Sequence, residues 1–456
     1  MHPILFRIPL PNMPLRLWWL LAVVATIALA STALSLKKAD RSAALVAFVV
    51  GVSAAIGAVV FRGVEYTAAN IPIYSYGVML GLSLVVGWYL TLGLAERDGL
   101  PKETMANCYV VTAIAAIVGA RLLYIVTNLD EFNSFADLFA LRRGGLVAYG
   151  GFLGGFLGSW VFLARHRIRL MPWADAAVPS LASGLLITRI GCYLFGCDFG
   201  KRLPETAPGW LKSAGTFPHW PTGTLEGGDG SPAFVRHLDL YRGSPLGDEV
   251  VRLNHSLPVH PTQIYEALVG LTLLVVLFAQ RRALTFRGQV FLVFVYGYGL
   301  LRFLLEILRD DVERGEWGPT FSEHMIIPGA LFFFAIAFVV GISLGITNLR
   351  ARTFARVLAF LPPIVAYLVL RPPSFGASVA VQLSTSQWIA LVTALLAAGY
   401  YARFWQEART APVLAMSLGD FEPATATSRE DASDEADDSG KDDEDEETQG
   451  ASAEKA

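Results

Sequence analysis

About eleven apolar runs, most of them long enough to cross a hydrocarbon layer, dominate this chain and leave few folds open to it. They lie near residues 15–36, 43–61, 71–94, 105–126, 146–164, 176–194, 263–279, 288–307, 326–346, 357–370 and 387–404. A bilayer-spanning helix needs about 17 to 25 such residues, because every backbone N–H and C=O must be satisfied inside it once water is absent. With 54% hydrophobic and 16% charged residues and a mean hydropathy of +0.48, a soluble domain of ordinary composition is excluded. The chain reads as an all-α polytopic membrane protein. The run at 357–370 is short and interrupted by Pro362-Pro363.

The first run exceeds the apolar core of a removable signal peptide and is expected to stay as a helix. Loops holding Lys37, Lys38 and Arg41, then Arg165, Arg167 and Arg169, then Arg281, Arg282 and Arg287, then Arg350 and Arg352 alternate with loops poorer in Lys and Arg. By the positive-inside rule the N-terminus lies outside and the C-terminus inside. The longest polar stretch, 201–257, is rich in Gly, Pro, Ser and Asp and predicts a small extracytoplasmic head acting as a lid or cap. From 405 the chain turns into a tail, strongly acidic over 420–447, that is expected to be disordered and cytosolic.

Arg189 and Arg302 sit inside apolar runs, where each arginine costs about 2.5 to 3.5 kcal/mol on insertion scales. Tyr298, Arg302 and Glu306 are spaced by four and share one helix face. The pair Arg302–Glu306 can satisfy itself. Arg189 has no acid within helical reach except a distant Asp175 and Asp198 near the segment's end. With the orientation above, Arg121 and Tyr124 close an outward helix, Tyr76 and Tyr149 open inward ones, and His260, Gln263, Tyr265 and Glu266 open the helix after the head. All reach the outer side and line one cavity, with an anionic group expected between Arg189 and Arg302. An anion transporter would need such groups to continue to the other face.

Gly144, Gly145, Gly150, Gly151, Gly154 and Gly155 suit either close helix packing or, for Gly150 and Gly151 beside Tyr149, approach of backbone to a head group. The three cysteines, Cys108, Cys192 and Cys197, describe no disulfide scaffold, although Cys192 and Cys197 can pair in an oxidising compartment. Either of these two can also fill space or accept a lipid transiently. Cys-x4-Cys lacks further ligands at recognisable spacing, so no metal and no cofactor are expected.

These residues resemble a known family, the prolipoprotein diacylglyceryl transferases of bacterial inner membranes. Tyr76-Gly77 is similar to an early family Tyr-Gly, and Gly119-Ala-Arg121-Leu-Leu-Tyr124 to a Gly-x-Arg-x-x-Tyr helix. Gly144-Gly-Leu-Val-Ala-Tyr149-Gly-Gly resembles a segment that usually carries His before the glycine pair. Arg189-Ile-Gly191, continuing to Gly196 and Gly200, follows the family signature, with Cys192 at its Asn position, Cys197 at its Glu position and Asp198 next door. His260-Pro-Thr-Gln-Ile-Tyr-Glu266 and Tyr298-Gly-Leu-Leu-Arg302-Phe-Leu-Leu-Glu306 are close to family form. The resemblance covers about 71–307, with an echo in Leu383-Ser-Thr-Ser-Gln387-Trp-Ile.

The resemblance implies a helical core over 71–310 containing the head, added helices over 1–70, added and terminal helices over 311–404, and the tail over 405–456. It implies transfer of diacylglyceryl from phosphatidylglycerol to the lipobox cysteine of a prolipoprotein signal peptide, releasing glycerol phosphate, in the inner membrane; the bilayer is a partner and nucleic acid is not. Tyr76, Tyr149, Arg189, Tyr298, Arg302 and Glu306 are the implied catalytic set. Arg121, Gly150, Gly151, Gly191, Gly200, His260 and Glu266 are the implied substrate-binding surround. Tyr149 in place of His is a poor base, since a phenol's ordinary pKa is near 10, and the alternative is a catalytically altered relative that binds anionic phospholipid or modifies another acceptor.

Overall fold

A computed structural model describes residues 3–9, 15–37, 41–60, 62, 65–66, 70–131, 145–220, 230–310 and 315–420. Each apolar run is helical over most of its described length. The first six give α1 (Leu17–Lys37), α2 (Arg41–Val60), α3 (Ser75–Arg97), α4 (Lys102–Thr127), α5 (Ala148–Arg165) and α6 (Leu170–Phe195). The head holds α7 (Gly209–Ala214), α8 (Pro232–Leu240) and α9 (Pro245–Leu253). Beyond it run α10 (Thr262–Gln280), α11 (Gln289–Glu306), α12 (Glu323–Val340), α13 (Leu349–Leu358), α14 (Leu361–Leu370), α15 (Thr385–Thr410) and the short α16 (Pro412–Ala415).

Among the described residues nine stretches are long and apolar enough to cross a membrane, fewer than the eleven expected. α2 is itself a continuous apolar helix of 20 residues, and α5 is diluted by five glycines and Arg165. The weak run at 357–370 belongs to a longer stretch, Leu349–Leu370, broken between α13 and α14 just before Pro362-Pro363. The run at 176–194 starts earlier, at Leu170, because Asp175 is used inside the protein: its carboxylate accepts from Gly288 N (2.6 Å) and Phe291 N (2.9 Å) and caps α11.

The run at 71–94 is corrected at its start. Asn70–Tyr74 is a strand, β4, paired antiparallel with β1 (Ile4–Pro9), and the helix begins at Ser75. Pro72 and two isoleucines suit an edge strand better than a helix interior. Two smaller ribbons join β2 (Leu15–Arg16) to β3 (Glu65–Tyr66) and β5 (Phe321–Ser322) to β6 (Ala380–Val381).

Successive spans run antiparallel, so the starts of α3, α5, α10, α12 and α15 meet the ends of α4, α6 and α11 at the end that bears the head. The head has its own apolar centre in Phe199, Phe217, Ala233 and Val259, with Phe234, Val250 and Leu257 beside it. At the opposite end Asp98 is held by Arg281 (2.7 Å) and Arg287 (2.9 Å). There the chain after α15 is strapped down, Arg169 N donating to Leu418 O (2.9 Å) and Asp420 N to Arg167 O (3.0 Å). Residues 421–456, most of the acidic tail, and Gly144 lie outside the described residues.

Candidate active site

Three guanidiniums and three carboxylates interlock at the head-bearing end. Glu266, one turn into α10, is the hub: Arg189 Nε meets its Oε2, Arg302 Nη1 lies 2.5 Å from its Oε1, and Arg309 Nη1 lies 3.2 Å from the same oxygen. Arg302 also pairs with Glu306 (2.8 Å) along α11. Asp198 accepts from Arg189 Nη1 through Oδ2 (2.6 Å) and from Arg309 Nη2 through Oδ1 (2.8 Å). Arg189 therefore has two acidic partners: Asp198, the acid near the end of its own segment, which a tight turn after α6 returns to it, and Glu266, which α10 brings by packing beside α6.

That turn is built by backbone geometry. Gly196 ends α6 in the left-handed region (φ +82°), and Asp198 sits there as well (φ +58°), a conformation uncommon for a side chain with a Cβ. Two residues opening α10 fasten the turn, Thr262 Oγ1 donating to Asp198 O and Gln263 Nε2 to Cys197 O, each at 2.5 Å. Gly200 allows the closure, since a Cβ there would lie 2.5 Å from Leu308 O and 2.8 Å from His260 Cβ. Burial opposes ionisation of Asp198, but Arg189 and Arg309 outweigh it and hold its carboxyl below the usual range. Glu266 and Glu306 are 4% and 2% exposed and Asp198 is 34% exposed, so Asp198 is the carboxylate freest to yield to an incoming anion.

The other expected residues fall into two groups. Tyr298 is on α11 one turn before Arg302, and Tyr149, opening α5, donates to Ser386 Oγ (3.0 Å) at the start of α15. Ser384 caps α15 with Gln387 in a reciprocal box and also donates to Glu306 Oε1 (3.1 Å), which brings the terminal echo into the site. Gly191 lets α6 touch α3 beside Tyr76, where a Cβ would lie 3.3 Å from Tyr76 Cα. Arg121 stands elsewhere: its Nη1 donates to Gly145 O (3.0 Å) and its guanidinium lies over the Tyr124 ring. Gly150 is buried against α4, where a Cβ would meet Gly119 O at 2.4 Å, while Gly151 has room.

His260 lies at the foot of the head, with Nδ1 3.4 Å from Tyr265 Oη; burial and then Lys201 push its imidazole down, so it is neutral at pH 7. Arg309 was not singled out from the sequence, because it follows α11 where an arginine reads as an ordinary helix-end cation; its spacing of seven from Arg302, two turns along the same face, was the available signal. Cys192 and Cys197 lie beside this cluster as free thiols. A hydrogen bond to Cys192, burial and the nearby Asp198 carboxylate all push the Cys197 thiol up.

The sequence model of the family described as prolipoprotein diacylglyceryl transferase matches residues 64–340, more than half of the chain. The chain belongs to that family. Its relatives include the phosphatidylglycerol-prolipoprotein diacylglyceryl transferase of Thermus thermophilus, 33% identical over 51% of this chain and 77% of the relative. Proteins with the same name from Clostridium tetani (27% identical, 55% and 86% covered) and Deinococcus radiodurans (28%, 51% and 68%) are also similar. The family match contains every arginine and carboxylate of the cluster. It leaves out α1, α2 and everything from Gly341 onward, so the Ser384 and Ser386 contacts come from beyond the matched region.

Proposed function

We propose that this membrane protein transfers a diacylglyceryl group from phosphatidylglycerol to the lipobox cysteine thiol of a prolipoprotein, releasing glycerol phosphate. The single observation that carries the site assignment is the sharing of Glu266 by Arg189 and Arg302. One carboxylate fixes two guanidiniums from different helices so that both face a common point, the arrangement a phosphate ester needs for charge-assisted hydrogen bonds. The acceptor sulfur attacks the glycerol carbon next to the phosphate, a C–S bond forms, the C–O bond breaks, and the electron pair leaves with the phosphate oxygen. Charge grows on that oxygen in the transition state, where fixed cations in a water-poor site act most strongly. The acceptor proton passes to solvent or to a nearby carboxylate, for which Asp198 is the most accessible.

The cluster is balanced at three positive and three negative groups before substrate enters, so the phosphate must compete with a carboxylate. Asp198 yields its contact with Arg189, Arg189 turns to the phosphate, and Glu266 keeps Arg189 and Arg302 aligned. Tyr76, Tyr298, Gly191 and Gly200 shape the surroundings, and Arg121 with Gly145 fixes the entry to α5. In this reading His260 positions the head over the lipid. The basic residues Arg165, Arg167, Arg169, Arg281, Arg282 and Arg350 gather at the end away from the head, which supports an extracytoplasmic head and N-terminus and a cytoplasmic C-terminus in a bacterial inner membrane.

Arg189→Ala and Arg302→Ala test the assignment. Each is expected to lower transfer to a lipobox peptide by about 100-fold or more, the scale seen when one transition-state donor is removed. Full transfer by both folded variants would reject the phosphate clamp. A second reading, an anionic-lipid binder acting on another acceptor, draws on Tyr149, a phenol that is already engaged with Ser386 Oγ and supplies no imidazole base. It predicts retained phosphatidylglycerol binding with no labelling of the lipobox thiol.

A further inference from the structure

We infer that Cys192, Cys197 and Asp198 form a binding site for a thiophilic divalent cation such as Zn2+, with its open position facing the acceptor thiol. Spacing alone offers only two sulfur ligands, but the turn after α6 adds a third donor: both Sγ atoms and an Asp198 carboxylate oxygen lie within 4.8 Å of one another. Cys197 Sγ is 3.9 Å from Asp198 Oδ2. With metal–sulfur bonds of about 2.3 Å, tetrahedral donors stand roughly 3.8 Å apart, so closing on an ion needs shifts of about 1 Å or less.

The surroundings suit such an ion although two arginines are close. A divalent cation replaces two thiol protons, so the formal charge of the site is unchanged when it binds. Asp198 has two oxygens with separate duties: Oδ1 is held by Arg309 (2.8 Å), which orients the carboxylate from behind. Oδ2, now on Arg189 Nη1 (2.6 Å), is the oxygen nearest the sulfur. A cation drawing Oδ2 away releases Arg189 Nη1 for phosphate, while Arg189 Nε stays on Glu266. Ion binding and phosphate binding thereby favour each other.

Three protein ligands leave a fourth position open, as in catalytic rather than structural zinc sites. This step rests on the transfer reading above. The acceptor thiol coordinates as thiolate and its proton goes to solvent; the metal-bound sulfur attacks the glycerol carbon, the C–S bond forms, and the C–O electron pair leaves on the phosphate. No electron is gained or lost, and the thioether product is a neutral, weaker ligand that departs. The ion does the work of a general base, which Tyr149 cannot do easily.

The test uses the full chain, purified reduced in detergent, with Co2+ and Zn2+ as probes. About one Co2+ per chain with sulfur-to-metal charge-transfer absorption is expected, displaced by Zn2+, and Cys192→Ser, Cys197→Ser and Asp198→Asn are each expected to weaken binding by about 10- to 100-fold or more. Unchanged thermal unfolding of the two cysteine variants separates ligand loss from misfolding, since Asp198→Asn also breaks the pairs with Arg189 and Arg309. Chelation should abolish transfer and Zn2+ restore it. Transfer that continues in metal-free protein overturns the ion's role and leaves the transferase reading intact. Metal binding without transfer, with or without Zn2+, upholds the site and overturns the reading on which the thiol step rests. No thiolate absorption at saturating Co2+, or oxidation of the two thiols to a disulfide as the purified state, overturns the site itself.

Discussion

At the scale of single residues, the site turns on Glu266. It satisfies Arg189, Arg302 and Arg309 together at 4% exposure, so removing its charge strands buried cations. Breaking one partner of a buried ion pair costs about 3 to 5 kcal/mol, and Glu266→Gln is therefore expected to lower the unfolding temperature strongly and to abolish transfer, read by thermal unfolding in detergent alongside the peptide assay. His237 makes a separate prediction. Burial, then Arg202 and Arg236, push its imidazole down to about 4, and the ring accepts from Leu257 N (3.0 Å) as a neutral acceptor. An unfolded head binds a proton near the ordinary pKa of about 6.5 and the folded one does not until about 4. Stability is thus full above the unfolded value and falls as pH drops through that window, by roughly 3 kcal/mol at most. Amide exchange at Leu257 should quicken between those values, and His237→Asn, which keeps an acceptor at the δ position, should flatten the response. The arginines and Glu306 were legible in the sequence because charge in an apolar run is costly. Asp198 and Glu266 were visible as acids near the site but their pairings were not, and Arg309 was missed, since it sits at a helix end where charge costs little.

At the scale of elements, glycines decide how close the helices come. A Cβ at Gly154 would lie 2.3 Å from Ala115 O and one at Gly119 would lie 2.4 Å from Gly150 O, so α4 and α5 touch backbone to backbone. Gly154→Ala is expected to push them apart at a cost of about 1 to 3 kcal/mol, seen as a lower unfolding temperature with the Arg189–Glu266 cluster, on other helices, retaining phosphatidylglycerol binding. α15 carries a different lesson. Ser384 both caps the helix and donates to Glu306, so Ser384→Ala should cost about 1 kcal/mol for the cap and also reduce transfer. The Ser-x-x-Gln box was visible as a helix start, yet nothing local tied it to Glu306, seventy-eight residues earlier. Helix positions followed from hydropathy. Their ends followed less well: Pro72 belongs to a strand paired with the distant Arg7, and Asp175 lengthens α6 because it caps another helix.

At the scale of the whole molecule, alternating spans put the cluster under the head and the basic loops at the other end. Chemical labelling of single cysteines should find head positions reactive from the extracytoplasmic side and positions near Arg350 only after permeabilisation; the reverse would invert the topology. The segment 411–420 straps α15 to the loops before α6 and α11, so the acidic residues that follow start at the basic end. Which residues of separate helices meet was the part the sequence could not supply, because i to i+4 spacing is local and the Glu266 hub joins three helices and a turn. The most direct test of the whole account is the product formed by purified full-length protein in vesicles whose only anionic lipid is phosphatidylglycerol. The expected product is a lipobox peptide heavier by one diacylglyceryl group on its cysteine sulfur, with one glycerol phosphate released per peptide. An unmodified peptide with phosphatidylglycerol bound at the Arg189–Arg302 pair would contradict it.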